Sequence, residues 1–118
     1  MKTLTLKHTI AATETALAMG SGGLEVWATP AMICLMESAA YQLAQREGAE
    51  TVGTQVDIAH LKACLPGTEV EAEATLTAVD GRKMCFDVTV KNDQGQILGQ
   101  GKQERFSIDP ERFMTKLK

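Results

Sequence analysis

The sequence predicts one α+β domain, residues 1–118, in which a single long apolar helix lies among antiparallel strands. Three observations carry this. Residues 26–41, VWATPAMICLMESAAY, are mostly apolar at helical spacing. The segments on either side alternate polar and apolar residues. Turn residues then divide the second half of the chain at Pro66-Gly67, Asp80-Gly81 and Asn92-Asp93-Gln94-Gly95.

The first strand is expected over residues 3–10, with Leu4, Leu6, His8 and Ile10 on one parity. His8 continues the apolar side and reads as a structural or rim residue. In residues 11–23, Thr13 or Thr15 suits the cap of a short helical turn that the glycines then end. Gly20-Ser21-Gly22-Gly23 has no following Lys-Ser/Thr, so it reads as a connector or a mobile lid rather than a phosphate loop.

The central helix is expected to start with Thr29 as N-cap and Pro30 at the first helical position, and to end where Gly48 provides the C′ residue. Met32, Leu35, Met36, Ala39, Ala40 and Leu43 recur at helical spacing, and Ile33 and Cys34 widen the apolar surface. A helix this apolar belongs inside the concave face of a sheet. Strands at 51–63, 68–79, the segment holding Met84, Phe86, Val88 and Val90, and 96–108 are expected to form a four-strand meander joined by hairpin turns. Glu69, Glu71 and Glu73 mark a solvated face. Gly99 and Gly101 mark a bulge or a close backbone approach. Asp109-Pro110 caps a short terminal helix.

Composition removes several functions. The net charge is -3 and aromatics are 4%, which suits neither a duplex-DNA groove nor a stacking platform for single strands. No stretch reaches the length of a membrane span, and MKTLT at the start has no signal-peptide pattern. Cys34, Cys64 and Cys85 form no CxxC pair and read as reduced, mostly buried thiols of a cytoplasmic protein. No Cys/His spacing fits a metal, and no nucleotide or dinucleotide fingerprint is present, so no cofactor is expected.

The residues left for chemistry are few. Thr29 and Glu37 are eight residues apart, which places them about 80° apart around the helix and about 12 Å apart along it. A carboxylate amid Ile33, Met36 and Tyr41 is either a functional group or a residue at the helix's wet edge. His60 follows Val52, Val56 and Ile58 on one strand parity, as either a satisfied structural histidine or a catalytic one.

The phrases Val26-Trp27-Ala28-Thr29-Pro30, Leu35-Met36-Glu37, Val52-Gly53-Thr54, Asp57-Ile58-Ala59-His60-Leu61, Pro66-Gly67, Val79-Asp80-Gly81-Arg82 and Glu104-Arg105-Phe106 resemble the hotdog-fold thioesterases, nearest the fluoroacetyl-CoA thioesterase branch. The resemblance runs from the first strand to Phe113. It implies an antiparallel sheet wrapped around the long helix, assembled as a homodimer or dimer of dimers with the active site where subunits meet. It implies hydrolysis of a small or medium acyl-CoA. By it, Thr29, Glu37 and His60 are catalytic, Gly53 is the strand glycine that a thioester approaches, and Arg105 lies near the coenzyme. Water, Thr29 or Glu37 would attack the carbonyl, His60 would move the proton, and N–H groups at the helix start would stabilise the oxyanion. The branch has aromatic residues in the lid before the helix, whereas residues 11–23 have none, which separates thioester hydrolysis from fluoroacetyl selectivity. The rival reading is a non-catalytic binder of acyl-CoA or another hydrophobic small molecule. The dehydratases of the superfamily place their histidine and acid differently.

Overall fold

The computed structural model describes residues 2–118. Strand β1 is Lys2–Thr9. A 3-10 turn, Ala12–Glu14, and a short helix α1, Ala16–Met19, lead to the long helix α2, Thr29–Arg46. Strands β2, Thr51–His60, β3, Glu69–Asp80, β4, Lys83–Asn92, and β5, Ile97–Ser107, follow, and α3, Pro110–Leu117, closes the chain. The five strands form one sheet in the order β1-β3-β4-β5-β2, and every neighbouring pair is antiparallel.

Helix α2 packs against all five strands on one side of the sheet. Its buried face is Ala31, Met32, Met36, Ala39, Ala40, Leu43 and Ala44. It meets Val70, Ala72 and Ala74 of β3 and Met84, Phe86, Val88 and Val90 of β4. Alanines on both surfaces let the helix lie close to the strands, and the two methionines fill the remaining space. Truncating either methionine to alanine would cost about 2–5 kcal/mol through the lost burial and the cavity left behind. A Cβ on Gly99 would sit 2.5 Å from the Met32 sulfur, which is the close approach expected there.

The helix ends as its sequence requires. Gly48 has φ 93 and its N–H donates to the Gln45 carbonyl, while Ala49 reaches back to Ala44. Thr15 caps α1, accepting from the Ala18 N–H at 3.1 Å, and Gly20 at φ 77 terminates it. Asp109 caps α3 by accepting from the Arg112 N–H.

Four expectations change. The meander has three strands, β3-β4-β5; β2 does not pair with β3 but lies at the far edge against β5. Residues 61–68 are therefore a crossover, held by Gly67 N–H on the Ile10 carbonyl and Trp27 N–H on the Cys64 carbonyl. Second, the α2 N-cap is Ala28, and Thr29 is already helical. Third, Cys34 is exposed, because the stripe through Ile33, Cys34, Glu37 and Tyr41 is only partly covered. Fourth, the polar–apolar alternation expected over 68–79 stops partway, with Ala78 exposed, because a bulge between Leu76 and Ala78 shifts the register of β3.

Candidate active site

Thr29 and His60 come together. Thr29 sits in the first turn of α2 and His60 is the last residue of β2, and Thr29 Oγ1 lies 2.8 Å from His60 Nδ1. The hydroxyl that the sequence assigned to capping is spent on the imidazole instead, and no side chain caps α2. The first N–H groups of an eighteen-residue helix thus open beside this pair with no acid in the first turn.

The imidazole is half-buried. Burial lowers its pKa, an effect the Lys62 backbone partly reverses, so the ring is neutral at physiological pH. Its Nε2 is buried and, among the described residues, makes no hydrogen bond of normal geometry. Trp27 packs edge-on to the ring, with centroids 6.4 Å apart and planes at 85°. A hydroxyl against a neutral imidazole is the arrangement of a nucleophile or bound water beside its base.

A cavity of about 310 Å³ opens onto Thr29 and His60. Its other walls include Trp27, Lys62, and Ala16 and Ser21 from the segment before α2. That segment is built from small residues and is folded, with Leu17 N–H on the Leu24 carbonyl and Ala16 N–H on the Val26 carbonyl. Depressions of about 580 and 410 Å³ lie by Thr9, Glu69 and Asn92; the larger shares Lys62 and Ala63 with the cavity at Thr29 and His60, and neither is lined by those two residues.

Glu37 stands apart from the pair. Its Oε2 is 3.5 Å from Arg105 Nη1, and its side chain is 42% exposed. Arg105 is only 6% exposed. Its Nε donates to Thr51 Oγ1 at 2.9 Å, its Nη1 donates to Gln103 Oε1 at 3.1 Å, and its guanidinium lies 5.6 Å from the Tyr41 ring centre. Burial lowers its pKa and Glu37 raises it. Gly53 is what admits this pair: a Cβ there would sit 2.9 Å from Glu37 Oε2 and 3.3 Å from Arg105 Nη1. The sequence thus named five residues that fall into two groups, Thr29 with His60 and Glu37 with Arg105 over Gly53.

Thr51, Gln103 and Tyr41 around Arg105, and Glu14 behind Trp27, were not legible. Gln103 and Arg105 share one strand parity, but Lys102-Gln103-Glu104-Arg105 is polar throughout, so no alternation marks the inward face. Among the described residues no three His, Cys, Asp or Glu side chains gather as a metal site, and no helix is long and apolar enough to cross a membrane.

A five-stranded antiparallel sheet on one long helix is the hotdog architecture, and a hydroxyl paired with an imidazole at the helix start has the chemistry that thioester hydrolysis calls for. Residues 10–111 match the family of the fluoroacetyl-CoA-specific thioesterase FlK, and the chain belongs to that family. It is 33% identical over 97 residues to the fluoroacetyl-CoA thioesterase of Streptantibioticus cattleyicolor, spanning 80% of this chain and 69% of that one. The crystal structure of the fluoroacetyl-CoA thioesterase FlK superimposes with a TM-score of 0.89 at 26% identity, covering 98% of this chain and 92% of that chain. A thioesterase superfamily member of Thermus thermophilus shares the fold, with a TM-score of 0.89 at 22% identity over 98% of this chain and 88% of that one.

Proposed function

We propose that the protein hydrolyses a small or medium acyl-CoA thioester to the free acid and coenzyme A, with His60 as the base, Thr29 as the group it activates, and Glu37 as the third member of the site. The 2.8 Å contact between Thr29 and His60 at an uncapped helix start carries this reading. His60 takes the hydroxyl proton as Thr29 Oγ1 attacks the thioester carbonyl. The first N–H groups of α2 stabilise the oxyanion. The intermediate expels the coenzyme thiolate, which His60 reprotonates, and water then releases the acid. The Thr29 route is favoured over direct attack by water because Thr29 already holds the contact that proton transfer needs. A pre-steady-state burst of free coenzyme A, with acylated Thr29 found by mass spectrometry, supports it; single-turnover release without a burst points to direct hydrolysis.

Arg105 and Gly53 are assigned to holding Glu37. A buried guanidinium already engaged by Glu37, Gln103 and Thr51 is not presented to a coenzyme phosphate. Glu37 faces the partly covered stripe of α2, beside the open edge of β2. That open edge supports assembly as a homodimer or a dimer of dimers, since a ten-residue edge strand, paired only with β5 on its inner side, is a ready site for pairing with a second copy. In that assembly Glu37 serves the Thr29–His60 pair of the neighbouring subunit.

The acyl group is not confined to fluoroacetyl. Ala16 and Ser21 line the cavity from the lid side, and no aromatic residue stands in residues 11–23. Fluoroacetyl-CoA and acetyl-CoA are expected to be turned over within about tenfold of each other, the scale of one small apolar contact. A panel of acyl-CoAs followed by thiol release tests this. Tight binding with no thiol release on any chain would favour the non-catalytic binder.

A further inference from the structure

His60 has a second neighbour that the reaction scheme leaves unused. Thr29 holds Nδ1 and the Lys62 backbone bears on the ring, but Nε2 makes no hydrogen bond of normal geometry among the described residues, so the tilt of the imidazole depends as well on what packs against it. That neighbour is Trp27, which is 1% exposed and stands edge-on to the ring. The indole in turn is held by an acid. Trp27 Nε1–H donates to Glu14 Oε1 at 3.3 Å. The same carboxylate accepts from the Ala11 N–H at 2.7 Å and lies 2.8 and 2.9 Å from His8 Nε2.

Glu14 is 22% exposed at its side chain, and it is ionised. Burial pushes its carboxyl up, and the contacts from Ala11, His8 and Trp27 more than reverse this, leaving it below the ordinary carboxylate value. The carboxylate is not needed merely to tie the segment before α2 to the helix. Backbone bonds already do so, from Ala16 N–H to the Val26 carbonyl and from Ala28 N–H to the Glu14 carbonyl, together with the Thr15–Trp27 bridge. The side chain's particular target is the indole N–H.

We propose that Glu14 is a positioning residue for hydrolysis: its carboxylate, steadied by His8, holds the Trp27 indole in the orientation that seats the His60 imidazole against Thr29. The inference rests on His60 acting as the base proposed above. The test is a cycle of Glu14→Gln, Trp27→Phe and the double variant, assayed with acetyl-CoA and hexanoyl-CoA. Glu14→Gln is expected to lower kcat about tenfold, the scale of one hydrogen bond to a charged group, with KM changed by less than about twofold. In the Trp27→Phe background the same change should have no further effect, because phenylalanine has no N–H to lose. An unaltered kcat, or an equal loss in both backgrounds, overturns the proposal. If Glu14→Gln fails to fold, Glu14→Asp keeps the charge but withdraws it from the indole, and the same outcomes apply. Trp27 is the single tryptophan, so its emission reads the contact without turnover. Should the wild-type protein release no thiol, the hydrolase reading is what fails. A shifted emission in Glu14→Gln then upholds the hold on Trp27, and an unchanged spectrum overturns it.

Discussion

Thr29 does not cap its helix, and that has a measurable consequence. A threonine N-cap lost to valine costs roughly 1 kcal/mol of stability. Here no cap bond exists to lose, since the hydroxyl is on His60. Thr29→Val should therefore keep its melting temperature while kcat falls about 100-fold or more, on the scale of proton-transfer catalysis. A drop in melting temperature with full activity would return Thr29 to a capping role. The histidine makes a second prediction. Its pKa lies below the ordinary 6.5 because burial disfavours the charged ring. A base works deprotonated, so the acid limb of kcat/KM should fall below pH 6.5; a limb above that value would contradict the assignment. The sequence made Thr29 and His60 visible as polar residues in apolar patterns. It could not show that they meet, because the helix start shifts by one residue when the hydroxyl finds a tertiary partner.

Among elements, β2 is the least legible and the most consequential. Alternation identifies a strand but not its neighbour, so the sheet order was out of reach. Pro66-Gly67 does turn the chain, with Gly67 at φ 89, but it turns a crossover against Ile10 rather than a hairpin. Taking β2 to the far edge brings Gly53 under Glu37 and His60 beside Thr29. Glycine is needed at 53 for space rather than for conformation. Gly53→Ala should push the Glu37 carboxylate off Arg105 and lower kcat by about tenfold, the scale of one hydrogen bond to a charged group, with little loss of melting temperature. An unchanged rate would show that the Glu37–Arg105 pair is not used. Gly101 differs in kind, because a Cβ there would meet the backbone, 2.8 Å from Ile58 Cα. Gly101→Ala should lower the melting temperature by several degrees, since neither strand can move without breaking the β2–β5 ladder.

For the whole molecule the open edge of β2 and the half-covered stripe of α2 lie together, with Glu37 between them. If subunits pair there and each lends Glu37 to the other, inactive variants should rescue one another. A mixed dimer of His60→Ala and Glu37→Ala chains would gather both lesions into one site and leave the second intact, regaining about half of wild-type activity. No regain would place all three groups on one subunit. Beneath these assignments stands one claim: the imidazole at the end of β2 drives thioester hydrolysis at the start of α2. It is tested most directly by the rate of coenzyme A release from an acyl-CoA by His60→Ala, measured beside the wild type at equal fold and assembly. A loss of about 10² to 10⁴ in kcat is expected. Release at the wild-type rate would contradict it.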